Sequence, residues 1–349
     1  MPRKARIDAP GCLHHIIARG IERRKIFRDD KDRDTFVDRL GRVLAMTDTP
    51  CFAWALIPNH FHLLLKTGNI PIASIMQRVL TGYAGDFNRR HRRTGRLFQN
   101  RYKSILCQED AYLMELVRYI HLNPVRAKLV EDLAALARYP YSGHSAIMGK
   151  CNAEWQDSDT VLRHFAAGKR SARSRYLKFM EKGISLGRRR DLIGGGLVRS
   201  AGGWAVVKQL RKLKIHLKGD ERILGDSDFV ESVLARAEEE LERKYRIRAK
   251  GYDLDFLVQK VASEFALSVS EIIRPSKQPL RAHARSVVAY LAVCELSMSE
   301  VAVGKKLGIG QSAVSRAVKR GEELAQDRDI LMEEKKTHKI IPVPIKSSP

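Results

Sequence analysis

Residue pattern alone points to an α+β domain, an antiparallel sheet covered by helices, followed by an all-α helix-turn-helix unit. Three observations carry this. Apolar runs bounded by Gly or Pro at residues 12–19 and 51–66 read as strands. Residues 32–46 and 73–89 place apolar side chains at helical spacing between and after them. Residues 253–326 read as a separate helical unit that ends in a helix-turn-helix pattern. Strands and helices intermix without strict alternation, which fits an antiparallel sheet with helices on it. A length of 349 residues allows two or three domains.

The elements follow in order. The first strand, residues 12–19, is Cys-Leu-His-His-Ile-Ile-Ala-Arg. In residues 32–46, Phe36, Val37, Leu40, Val43 and Leu44 share one helical face. The run 51–66 contains His60-x-His62. Side chains alternate along a strand, so both imidazoles project from one face and could share a divalent metal, while Phe61 and Leu63 point the other way. The competing reading is two solvated or hydrogen-bonded histidines. Residues 73–89 form a second helix and 96–107 a further strand.

The next helix carries Leu113, Leu116, Val117 and Ile120 on its apolar stripe. Tyr119 and Asn123 are four apart and share a face, with Glu115 one turn earlier. A phenol beside an oxygen ligand, both aimed at a two-histidine metal site, suits phosphodiester chemistry. The phenolate is the nucleophile, and the metal stabilises charge in an in-line displacement. Asn123 has a second reading. Asn before Pro124 is a good helix start, with Asn as N-cap and Pro at the first helical position. Two imidazoles and an amide also suit Zn²⁺, although no Cys pair completes a structural zinc site.

Net charge is +24. Residues 1–150 hold 26 Lys and Arg against 14 Asp and Glu, and the remainder holds 38 against 26, so each half carries +12. A field this large on both halves points to nucleic acid, against the plainer reading of a solvated basic surface. Arg89, Arg90, Arg92, Arg93, Arg96, Arg101 and Lys103 cluster without an acid, interleaved with Phe87, Phe98 and Tyr102. Phosphate contacts plus base stacking are what single-stranded DNA binding needs. The five cysteines form no Cys-x-x-Cys pair, which reads as a reduced, cytosolic protein, and the DNA-binding charge adds the expectation that it is nucleoid-associated. No signal peptide and no run of membrane-spanning length is visible.

Residues 149–250 read as a basic helical connecting region, with glycines at Gly194 to Gly196 and Gly202 to Gly203 marking turns. Further on, one short helix ends near Leu307, Gly308 supplies a turn, and a second helix starts near Gln311 with Val314 and Val318 inward. Its exposed residues are then Gln311, Ser312, Ser315, Arg316, Lys319 and Arg320, types that reach base edges and phosphates of duplex DNA. The alternative is a helical hairpin for protein contact. The tail from residue 327 is charged, then Pro-rich, and reads as disordered.

The first 148 residues resemble the single-tyrosine HUH transposases of insertion sequences, especially the REP-associated tyrosine transposases. Five blocks carry the likeness: His14-His15-Ile-Ile-Ala-Arg19-Gly20, Ile26-Phe27-Arg28-Asp29-Asp30, Ala55-Leu-Ile-Pro-Asn-His60-Phe-His62-Leu-Leu, Gly95-Arg-Leu-Phe-Gln99-Asn-Arg101-Tyr-Lys103, and Tyr119-Ile-His-Leu-Asn123-Pro124-Val. The resemblance implies an RRM-like sheet with the histidine pair on a central strand. It implies cleavage and rejoining of single-stranded or hairpin DNA through a 5′-phosphotyrosine. His60 and His62 would bind Mg²⁺ or Mn²⁺, and Tyr119 would be the nucleophile. The family's third ligand is usually Gln one turn after the tyrosine; here that position is Asn123, shorter by one methylene. Relatives form dimers with composite sites, so a homodimer is an open expectation. Residues 251–326 resemble the C-terminal DNA-binding domain of DnaA-type replication initiators, including Arg285-Ser-Val-Val-Ala-Tyr-Leu-Ala ahead of the motif. A DNA-binding regulator with a decayed transposase core is the rival reading, kept open by Asn123.

Overall fold

The structure is a computed structural model that describes residues 7–330 apart from 9–10, 69, 188, 197–199, 201–218, 275, 277, 297 and 329. The chain divides into two compact units, Met1–Arg243 and Lys244–Pro349. Within the basic connecting region, Arg188, the Gly202–Gly203 pair and residues 208–218, which the sequence reads as touching DNA backbone or as solvated, lie outside the described residues, as do residues 331–349 of the tail.

The first unit is built on a sheet of order β2-β3-β1-β4-β5. β1 is Leu13–Arg19, β2 Cys51–Ile57, β3 His60–Lys66, β4 Lys103–Cys107 and β5 Ile223–Leu224. The apolar run 51–66 is thus a hairpin closed by Pro58 and Asn59, and β1 pairs antiparallel to both β3 and β4. Two expectations are corrected. The sheet is mixed, because β5 pairs parallel to β4. The expected strand 96–107 begins only at Lys103. Residues ahead of it wrap the end of β1, with Ile21 N–H donating to Leu97 O and Gln99 N–H to Arg19 O.

Helices cover both faces. α1, Asp30–Thr47, starts where the Asp29 carboxylate accepts from Asp32 N–H, a standard N-cap. It and α2, Ile72–Arg90, pack on one face, where the rings of Phe36 and Phe61 lie 4.7 Å apart. On the other face lies α3, Glu109–His121, which buries Leu113, Leu116, Val117 and Ile120 as its spacing predicts. α4, Asn123–Arg126, follows directly. Short helices α5 to α7, at Leu133–Arg138, Gly143–Ile147 and Ser158–Arg163, lead to α8, Lys169–Lys182.

The first unit extends past the expected end at residue 148 for a packing reason. Val161, Leu162, Ala172, Tyr176, Met180, Leu192 and Leu224 share one core with Leu64, Ile105 and the apolar face of α3. Glycines permit the closest approach. A Cβ on Gly195 would stand 2.0 Å from the Ile223 carbonyl oxygen, so only glycine lets this segment run along β5. Helix α9, Ser227–Ala249, comes next.

The second unit is helical: α10 Leu254–Glu264, α11 Val269–Ile273, α12 Pro279–Tyr290, α13 Glu300–Leu307 and α14 Gln311–Asp327. α13 starts at the N-cap Ser299 and ends at Gly308, whose φ of +64° is the left-handed C-cap conformation that favours glycine. Val314 and Val318 face inward as the spacing required. Arg285 spends its guanidinium on the Arg274 and Ser276 carbonyls, a structural use. Gly321 of α14 packs against α12 so closely that a Cβ would meet the Ser286 carbonyl oxygen at 1.9 Å. Gly321→Ala should therefore destabilise this unit by about 1–3 kcal/mol through overpacking, read as a lower melting transition of the full chain.

Candidate nucleic-acid processing site

Register decides which side chains meet. In an antiparallel pair, residues directly opposite project from the same face. Ile17 stands opposite His62 and Lys103, Arg19 opposite His60, and Ala55 opposite His62. One face therefore carries His15, Ile17 and Arg19 from β1, His60 and His62 from β3, and Lys103 from β4. This is the α3 face, and α3 places Tyr119 against it. The Tyr119 ring meets His15 at 5.9 Å and His62 at 5.8 Å between centroids, both edge-on.

A cavity of about 640 Å³ opens here. His60, His62, Tyr119 and Asn123 all line it, together with Arg19, Arg101, Lys103, Arg126 and Arg189. Among the described residues five cations and no carboxylate line this space, so the cavity suits a polyanion.

Arg126 is built around the tyrosine. It donates from Nη1 to the Tyr119 carbonyl at 3.0 Å, and its guanidinium stands 5.2 Å from the Tyr119 ring centroid. Burial, with nearby Arg189 and Arg118 adding to it, pulls its pKa below the ordinary arginine value.

Both site histidines keep an Nε2 for a ligand. His62 Nδ1 lies 2.9 Å from His15 Nε2, and His60 Nδ1 lies 2.7 Å from Asn59 Oδ1. Burial lowers the His60 pKa to about 4, with Arg19 adding to it, and holds His62 well below its ordinary value. Both are therefore neutral near pH 7, the form that ligates.

Asn123 is a 9 % exposed residue whose Nδ2 has no hydrogen-bond partner among the described residues. Its capping role is corrected: Leu122 occupies the N-cap position of α4, and no side-chain capping bond forms. Although α3 ends at His121, Leu122 keeps φ −81° and ψ −5°, so the helical path carries Asn123 into the wall that holds Tyr119. Among the described residues no group of three His, Cys, Asp or Glu side chains is placed to hold a metal. The donor set present, two imidazoles and an amide oxygen, fits a divalent ion that gains its anionic oxygens from a bound phosphate. Glu115 does not line the cavity; it pairs with Arg118 at 2.6 Å and Arg189 at 3.0 Å.

Other expected DNA contacts divide. Arg101 and Lys103 line the cavity, whereas Arg89, Arg90, Arg92, Arg93 and Arg96 do not. Arg90 is held by Asp29 and Asp32, Arg89 pairs with Asp86, and Arg93 donates to Asn88 and to the Arg96 carbonyl. Arg92 and Arg96 are exposed. The stacking role of the interleaved rings is corrected, since Phe87 and Tyr102 are buried and Phe98 is half-buried near Phe61. On α14, Gln311, Ser312, Arg316, Lys319 and Arg320 are exposed, Gln311 reaching Glu300 and Arg320 reaching Ser286. Ser315 is corrected: it is fully buried beside Val314 and cannot present its hydroxyl to a base.

Buried neutral histidines also set a pH limit. Burial is the main cause that lowers His14, His15, His60 and His144 to about 4 and holds His62 and His121 well below their ordinary value. Below about pH 6.5 the unfolded chain binds protons that the folded chain refuses, so stability falls with falling pH. Each group contributes a slope of up to about 1.4 kcal/mol per pH unit. Thermal melts should show a pronounced drop in midpoint between about pH 7.5 and about pH 5.

Sequence reasoning misses His15, Arg19 and Arg126, and reads Arg189 only as part of the basic triplet 188–190, which touches DNA backbone or is solvated. The alternation of β1 already groups His15 with Arg19, but only the register with β3 places them beside His62. Nothing local in the sequence brings Arg189 to residue 119.

Residues 9–123 match the family model described as transposase IS200 like. The matched span contains His60, His62, Tyr119 and Asn123, and it supports a transposase-type, DNA-processing role for this part of the chain. No curated protein matches the chain. Among solved structures, one described as the REP-associated tyrosine transposase bound to a REP hairpin aligns at 17 % identity with a TM-score of 0.36, covering 44 % of this chain and 91 % of that one. Among the described residues no helix is long and apolar enough to cross a membrane.

Proposed function

We propose that the first unit is a metal-dependent tyrosine transposase that nicks and rejoins single-stranded or hairpin DNA. The observation that carries this is the meeting of Tyr119, His60, His62 and Asn123 in one cavity that, among the described residues, five cations and no acid line. Tyr119 Oη attacks a backbone phosphorus as its proton passes to solvent water, which returns one to the leaving oxygen. The P–Oη bond forms as the bond from phosphorus to the 3′ oxygen breaks, and that oxygen takes up a proton. A second 3′-hydroxyl then displaces Tyr119, so strands rejoin without an outside energy source. Arg126, Arg101 and Lys103 hold the phosphates on either side of the reacting one. His60 and His62 through Nε2, with the Asn123 amide oxygen, would hold Mg²⁺ or Mn²⁺, which supplies Lewis-acid stabilisation of the developing phosphoryl charge.

The second unit is read as a DnaA-like duplex-binding module. Its exposed Gln311, Ser312, Arg316, Lys319 and Arg320 lie along α14, the second helix of a helix-turn-helix arrangement. A homodimer with a composite site belongs to the same proposal. The rival, a regulator with a decayed core, predicts DNA binding without covalent chemistry. A cleavage assay on labelled hairpins from the DNA flanking its own gene, with Mg²⁺ or Mn²⁺, separates the two. A denaturation-resistant protein–DNA adduct supports the enzyme, and tight binding without adduct in either metal supports the regulator.

A further inference from the structure

His15 is fully buried and lies on the cavity face, yet neither the nucleophile nor the metal donors require it. Its two nitrogens are both committed. Nδ1 stands 3.0 Å from the Leu192 carbonyl oxygen, and Nε2 stands 2.9 Å from His62 Nδ1. A carbonyl oxygen only accepts, so His15 Nδ1 carries the hydrogen. A neutral imidazole has one donor and one acceptor, so with Nδ1–H turned to the carbonyl its Nε2 accepts from His62 Nδ1–H. His62 then has its own lone pair on Nε2. An imidazole left to choose would divide between two tautomers, one of which turns an N–H donor toward the ligand and cannot coordinate.

We propose that His15, aimed by the Leu192 carbonyl, is a positioning residue that locks His62 in the tautomer able to bind a metal. A parallel device serves His60. Asn59 Nδ2 donates to the Arg23 carbonyl at 3.2 Å, which turns Asn59 Oδ1 toward His60 Nδ1 and leaves a lone pair on His60 Nε2.

The carbonyl that starts the relay comes from a segment outside the matched span 9–123. Residues 189–196 are fastened across the site at several points. Lys103 Nζ donates to the Ile193 carbonyl at 2.6 Å, Gly195 N–H to the Glu221 carbonyl at 2.9 Å, and Gly196 N–H to the Ile223 carbonyl at 3.2 Å. Arg189 and Ile193 of this segment also line the cavity. The segment thus belongs to the site rather than to a linker.

The tautomer follows from the hydrogen bonds of two neutral rings, and its consequence for metal affinity rests on the metal-dependent reading above. The full chain labelled with ¹⁵N-histidine reports each tautomer through long-range ¹H–¹⁵N spectra. The wild type should show Nδ1–H and a bare Nε2 for both His15 and His62. In His15→Phe, His62 should lose its single tautomer, and Mn²⁺ affinity measured with a DNA hairpin present should fall about tenfold or more. His15→Gln keeps an oxygen that accepts from His62 Nδ1–H and should restore both. Wild-type His62 carrying its hydrogen on Nε2 overturns the proposal, as does a folded His15→Phe with unchanged tautomer and unchanged Mn²⁺ affinity. Should His15→Phe fail to fold, the wild-type spectrum decides alone. The expected tautomers without any Mn²⁺ binding would sustain the relay and remove the metal reading.

Discussion

Tyr119→Phe abolishes both the covalent adduct and strand cleavage while leaving DNA affinity within about twofold. The substitution removes one oxygen and keeps the ring. The edge-on contacts with His15 and His62 and the Arg126 guanidinium near the ring face depend on that ring. Phosphate binding comes from the surrounding cations, which the substitution does not touch. Quantifying adduct on a denaturing gel beside binding by anisotropy checks both halves. Residual adduct in Tyr119→Phe would place the nucleophile elsewhere.

His62→Ala is the second large effect. It removes one metal donor and also strands the His15 Nε2 lone pair in a buried position, where an unpaired polar atom costs about 1–3 kcal/mol. Cleavage should fall by on the order of a hundredfold or more, as for loss of one stabilising group at a reacting phosphate. DNA binding should persist, and added Mn²⁺ should no longer stimulate the reaction. Stimulation equal to that of the wild type would remove His62 from the donor set.

Much of this site could be read from the chain. The i, i+2 spacing of His60 and His62 and the i, i+4 spacing of Tyr119 and Asn123 each bring two side chains to one surface, because strand and helix periods are fixed by backbone geometry. Those four residues do line one cavity. The α3 stripe and the Gly308 turn were legible for the same reason.

What stayed hidden depends on long-range pairing. β5 is two residues long and borrows its partner from β4, so no local pattern marks it. Arg189 and Leu192 reach the site only because Gly195 and Gly196 let the backbone run against β5. The run from Arg89 to Lys103 shows the converse. Its composition read as one binding surface, but Arg90 balances Asp29 and Asp32, and Phe87 fills the core. Composition reports charge, whereas packing decides which charges remain available. Ser315 makes the same point on α14, where a polar side chain on the expected outer face turns inward.

Mass-spectrometric mapping of the adduct tests the proposed chemistry at its defining bond. The wild-type chain is incubated with Mn²⁺ and a hairpin from the DNA flanking its own gene, denatured, and digested with nuclease and protease. Phosphonucleotide attached to the peptide at Tyr119 is the predicted outcome. Attachment to any other residue, or tight binding with no attached nucleotide in either metal, would contradict it.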